Sequence, residues 1–172
     1  MGIMIMNYDN RPKIDIPKTA FEKWFDFIAG FIFVANFVFI LIQWNEIPDR
    51  VPTHFNVFGE ADDWGGKGFI WVLPLVGIFI WTMMTVLGKH PHTFNYMVQI
   101  TEENAERQYR NGKLLMNMIK NEIILLFSYL SFSTIQVAKG GTMLLGIWEL
   151  PIVLVTIFGT ITIFTIRSFR LK

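Results

Sequence analysis

Cysteine is absent from this 172-residue chain, which excludes disulfides, thiolate nucleophiles and thiolate-held metal. Charge is scarce as well. Asp, Glu, Lys and Arg make up 17% of the residues, against about 25% in a soluble domain. The 15 basic and 14 acidic side chains leave a net charge of +1, so no bulk attraction to a polyanion exists and nucleic acid is excluded as a partner. A chain so poor in charge is no disordered tail. What it has in abundance is apolar surface: 52% hydrophobic residues, 17 of them Phe, and a mean hydropathy of +0.41. That composition excludes an ordinary soluble enzyme and predicts an integral membrane protein.

Four stretches approach the roughly 20 apolar residues that a helix needs to cross about 30 Å of hydrocarbon. Residues 27–44 and 69–88 carry no charge, the second despite Pro74. The third, 114–138, is most apolar over 123–137, and the fourth covers 150–166. All are expected to be helices, because lipid offers no partner for free backbone groups. The first begins too far in and runs too long for a cleaved signal peptide, and reads as a retained anchor. Lys and Arg number four, five and three in residues 1–26, 89–113 with Lys120, and 167–172, against two and one in 45–68 and 139–149. The positive-inside bias therefore predicts both termini in the cytoplasm of a multi-pass plasma-membrane protein. The expected fold is an all-α integral membrane domain. It is a four-transmembrane-helix bundle with a structured extracytoplasmic loop at 45–68 and a cytoplasmic helical extension of the third span.

That extension starts in the run following Ile100. Thr101 is placed as an N-cap, with Glu102 and Glu103 on the positive end of the dipole. Glu103–Arg107 and Glu106–Arg110 have i,i+4 spacing, and Ala105, Tyr109, Gly112, Met116, Ile119 and Ile123 trace an apolar stripe. This helix reads either as a solvated stem or as a docking face for a cytoplasmic or membrane protein partner. Asn36 and Gln43 are expected to bond Ser128, Ser131, Ser133, Thr134 or Gln136 of the third span, and Thr156, Gly159 and Thr160 to allow close packing. No ionisable residue is expected at mid-membrane, so an ion relay lacks its usual sign. Trp81 is out of place, deep in the second stretch rather than at an interface.

The densest chemistry lies in 45–68. Within a few turns stand Pro52, His54, Phe55, Asn56, Gly59, Asp62, Asp63, Trp64, Gly65 and Lys67. The run Pro52-Thr53-His54-Phe55-Asn56, followed by Gly59, Asp62, Trp64, Gly65 and Lys67, resembles the motif P-x-H-F-N-x-x-G-x-x-D-x-W-G-x-K. That motif marks small bacterial membrane proteins known as domain of unknown function 1648. Asn95-Tyr96 and the stretch through Thr101, Glu103, Asn104, Arg107 and Tyr109 resemble the family's second segment. Gly66 departs from the pattern, since relatives often carry Ser there. Some relatives join this domain to a second one, as in SdpI-type immunity and signalling proteins, for which no counterpart is read here. The resemblance implies a role in envelope defence or sensing.

Chemically, His54 offers an imidazole that can act as base, acid, ligand or pH sensor, and Asp62 is close enough to orient it. Zinc needs about three protein ligands, and His54 with Asp62, Asp49 or Glu46 is a thin set. No cofactor is therefore expected. A hydrolase triad lacks a nucleophile, as Thr53 is the only hydroxyl nearby. Asn56 and Asp62 also suit a self-organised turn, with Phe55, Phe58 and Trp64 lying on the bilayer surface. His90 and His92 fall on the opposite side from His54 and make a juxtamembrane turn. The leading expectation is non-catalytic recognition of an extracytoplasmic peptide or lipid ligand by a rigid loop. Alternatives are an acid–base or metal-assisted enzyme using His54 and Asp62, and an accessory subunit of a larger complex.

Overall fold

A computed structural model describes residues 10–172; residues 1–9 of the expected tail lie outside the described residues. Helix α1 (Ala20–Gln43) opens on a capping box. The Thr19 side chain accepts the Glu22 N–H at 3.2 Å while the Glu22 carboxylate takes the Thr19 N–H at 2.8 Å. The box starts the helix ahead of the charge-free stretch, so α1 takes in Lys23 and Asp26.

After a short 3₁₀ turn the chain forms two antiparallel strands, β1 (Arg50–Phe55) and β2 (Ala61–Gly66). The all-α expectation thus needs correction, for the structured loop is a β-hairpin. Val51, Thr53 and Phe55 favour extended backbone, and Asn56 and Gly59 supply the turn. A 3₁₀ turn then leads into α2 (Val72–Leu87). Helix α3 (Ala105–Ala138) is the longest, and α4 (Glu149–Arg170) ends the fold. Among the described residues, four helical stretches are long and apolar enough to cross a membrane: Ala20–Glu46, Lys67–Leu87, Ala105–Ala138 and Gly146–Arg170.

Helix α3 is the hub, packing on α1, α2, α4 and β1. Its start differs from the expectation. The helix begins at Ala105, and Thr101 instead closes a preceding turn, exchanging hydrogen bonds with Asn104 at 2.9 and 3.3 Å. Glu103 falls in that turn, ahead of the first helical residue. Accordingly Glu106–Arg110 pairs at 3.2 Å, whereas Glu103–Arg107 is not among the ion pairs of the described residues.

The interior of α3 also departs from the expected apolar stripe. Ala105 and Tyr109 are buried, but Gly112, Met116, Ile119 and Ile123 are only half-buried. The remaining buried positions are largely polar: Gln108, Asn117, Lys120, Asn121, Ser128 and Ser131. Outward-facing side chains are apolar instead, with Phe31 and Phe79 each 67% exposed and Val155 74%. A polar seam inside an apolar exterior is the arrangement that hydrocarbon surroundings favour.

At one end, Ile40, Ile47, Val51, Ile70 and Ile135 form a core that clamps the hairpin base to α1 and α3. Lys139 ties the same end together, bonding Gln43 and, at 2.8 Å, Glu46. At the other end, Ile16, Ile100, Ala105 and Tyr109 anchor the 89–104 connection. The expected partners of Asn36 do not materialise, and both of its amide atoms are buried without a hydrogen bond.

Candidate functional site

The hairpin owes its shape to the residues singled out by the motif. Asn56 organises the tip: its side-chain oxygen accepts the N–H of Phe58 at 2.9 Å and of Glu60 at 3.1 Å. Gly59 adopts φ +77°, and a Cβ there would lie 2.9 Å from the Gly146 backbone, so the tip rests directly on the α3–α4 connection. Gly65 is needed for close approach, since its Cβ would meet the Thr53 methyl at 2.7 Å. Val51 and Pro52 are buried. Lys67 stands 4.5 Å over the Trp44 ring, and its N–H donates to the Asp49 carbonyl. Arg50 donates to the Trp64 carbonyl at 2.8 Å.

Register irregularities on either side of His54 aim its ring at Asp62, with Nδ1 2.5 Å from the carboxylate. An ionised carboxylate only accepts, so Nδ1 carries the proton and Nε2 is the open position. Both side chains are exposed, at 67% and 45%. Thr53 is engaged with Asp63 at 3.1 Å. Phe55 is half-buried over a cavity of about 230 Å³ reaching Leu126, Met143 and Glu149. Phe58 and Trp64 face outward from the protein. Among the described residues no three His, Asp or Glu side chains gather as metal ligands.

One family model matches, Domain of unknown function (DUF1648), over residues 31–78, from the middle of α1 through the hairpin into α2. Residues 31–78 are similar to that family. No curated protein and no solved structure matches the chain. The DUF1648 stretch contains every hairpin residue named above; Asn95 and Thr101 to Tyr109 follow it in sequence.

That second segment builds the opposite end. Tyr109 is fully buried, 5.7 Å from the Tyr96 ring, with Arg11 5.6 Å over Tyr96. Burial, reinforced by Tyr109, pushes the Tyr96 phenol far above its ordinary value against the pull of Arg11. Asn104 holds the Gln99 carbonyl at 2.9 Å. Glu103 and Arg107 are exposed, and Asn95 borders a cavity between α2, α3 and α4. His90 and His92 lie edge to face at 5.9 Å; desolvation, with Lys13, His90 and Arg11 nearby, lowers the His92 pKa.

Between the two ends lies a cluster that sequence reasoning missed. The Asp26 carboxylate accepts four bonds: from Lys18 at 2.6 Å, Lys120 at 2.9 Å, Asn117 at 2.7 Å and Asn121 at 2.8 Å. The Lys120 ammonium also lies 4.3 Å over Trp81, whose indole donates to Asn121 at 2.9 Å. Trp81 is deep in its helix because its ring serves this cluster. Farther along α3, Glu122 accepts from Thr160, halfway along α4, at 2.6 Å. Ionisable groups therefore do enter the helical bundle. The spacing of Asn117, Lys120 and Asn121 at i, i+3, i+4 was the signal available in the sequence.

Proposed function

We propose that this chain is a multi-pass membrane protein whose hairpin recognises a cationic amphipathic peptide at the extracytoplasmic face, in an immunity-like or regulatory role. The positive-inside bias supports that sidedness. The observation that carries the reading is the division of labour within the hairpin. Arg50 donates to the Trp64 carbonyl and Lys67 lies over Trp44, while Glu60, bonded by Asn56, and Asp62, bonded by His54, stand exposed with Val57 and Phe58 around a tip seated on the α3–α4 connection. A rigid acidic surface with an apolar point suits a cationic, amphipathic ligand. His54, held by Asp62, adds one directed hydrogen-bonding position at Nε2.

The chain reconstituted in lipid nanodiscs is titrated with a fluorescent cationic amphipathic helix-forming peptide. Phe58→Ser and Asp62→Asn are expected to weaken binding about tenfold each without changing thermal unfolding. Equal binding by wild type and both variants would overturn the reading.

A further inference from the structure

Where α1, the end of α2 and the first half of α3 meet, a cavity of about 90 Å³ is walled by Lys18, Lys89, Lys113 and Lys120 together with Thr85 and Asn117. Three carboxylates act on this space: Glu22, which lines it, Asp26, and Asp15, whose charge is felt at Lys113. Glu22 is closed into its capping box, and Asp26 is saturated by Lys18, Lys120 and two amides. Lys113 donates to the Ile16 carbonyl, and neither it nor Lys89 has an ion-pair partner among the described residues. Four lysines thus face three carboxylates, which leaves net positive charge around a cavity that suits one small anion. Met84 and Met116 separate this space from a second, largely apolar cavity of about 380 Å³, lined by Phe94, Leu115, Ile119 and Phe164. A basic niche sharing a wall with apolar room, at the end of a helical bundle opposite the hairpin, matches the two halves of an anionic lipid.

We propose that the lysine-lined cavity binds the phosphate of an anionic membrane phospholipid, with acyl chain taken up in the apolar cavity beside it. The site is independent of hairpin recognition and rests only on the helices lying in a bilayer.

The test is lipid retention by the full chain, read by native mass spectrometry after incubation in detergent with phosphatidylglycerol or phosphatidylcholine. Phosphatidylglycerol is expected to be retained in preference to phosphatidylcholine. Lys89→Gln combined with Lys113→Gln should lower its occupancy about tenfold. Lys89 is exposed and has no ion-pair partner among the described residues, so Lys89→Glu alone serves as the variant that keeps the fold, and it should also lose lipid. Phe58→Ser should retain lipid normally, which separates this site from the hairpin. Equal retention of the two lipids, unchanged retention in Lys89→Glu, or displacement of the lipid by inorganic phosphate alone would each overturn the proposal.

Discussion

The Lys120 ammonium sits 2.9 Å from the Asp26 carboxylate, at 2% exposure, joining α3 to α1 across 94 residues of sequence. The two partners are not equivalent. Asp26 has Lys18, Asn117 and Asn121 in reserve, whereas Lys120 has the Trp81 face, the Thr85 hydroxyl at 3.0 Å and the more distant charge of Glu22.

Removing the carboxylate should therefore cost more than removing the ammonium. Asp26→Asn is expected to destabilise by about 3 kcal/mol, because it strands a buried charge. Lys120→Met should cost about 1 kcal/mol, since the remaining three donors still hold Asp26. Denaturant unfolding in detergent gives the ranking; the reverse order would show that Lys120 does not depend on Asp26.

The hairpin tip makes a second contrast. Gly59→Ala meets both a positive φ and the Gly146 backbone at 2.9 Å, and should cost about 1–3 kcal/mol and loosen the tip. Gly66 has φ −70° and open space where a Cβ would stand, so Gly66→Ser should be within about 0.5 kcal/mol of wild type. Hydrogen exchange at the N–H of Phe58 and Glu60 would report the loosening directly.

At the other end, two titrations have opposite signs. The Tyr96 phenol is raised, so its stabilising contribution is whole below an ordinary tyrosine pKa of about 10 and fades only at still higher pH. Tyr96→Phe should leave the phenolate absorbance rise near pH 10 unchanged. His92 is lowered, so its contribution is whole above an ordinary imidazole pKa of about 6.5 and is lost as pH falls through the folded value. His92→Gln should flatten the acid side of a stability–pH profile.

The four long helices were legible because apolar length is a local property, as was the Asn56–Gly59 turn, where side-chain chemistry acts on the adjacent backbone. The hairpin was not, because its strands are set by the Val51 anchor and by Gly59 resting on Gly146, contacts distant in sequence. The seam through Asn117, Lys120 and Asn121 was missed for a different reason. An apolar stripe marks the buried face when water surrounds a helix, and the rule inverts when the surroundings are apolar. Ile119 and Ile123 followed the stripe and are half-buried, while Lys120 lies inside. The His54–Asp62 pairing was anticipated from spacing, and the register irregularities around His54 supply its geometry.

Because the chain has no cysteine, a single thiol can read both the sidedness and the occupancy of the hairpin. Val57 is 64% exposed at the tip, which makes Val57→Cys the reporter. In intact cells a membrane-impermeant maleimide should label Val57→Cys, and added cationic amphipathic peptide should slow that labelling severalfold. Glu102→Cys, at the opposite end, should label only after permeabilisation. Labelling of Val57→Cys that requires permeabilisation, or a rate that the peptide leaves unchanged, would contradict recognition at an outward-facing hairpin.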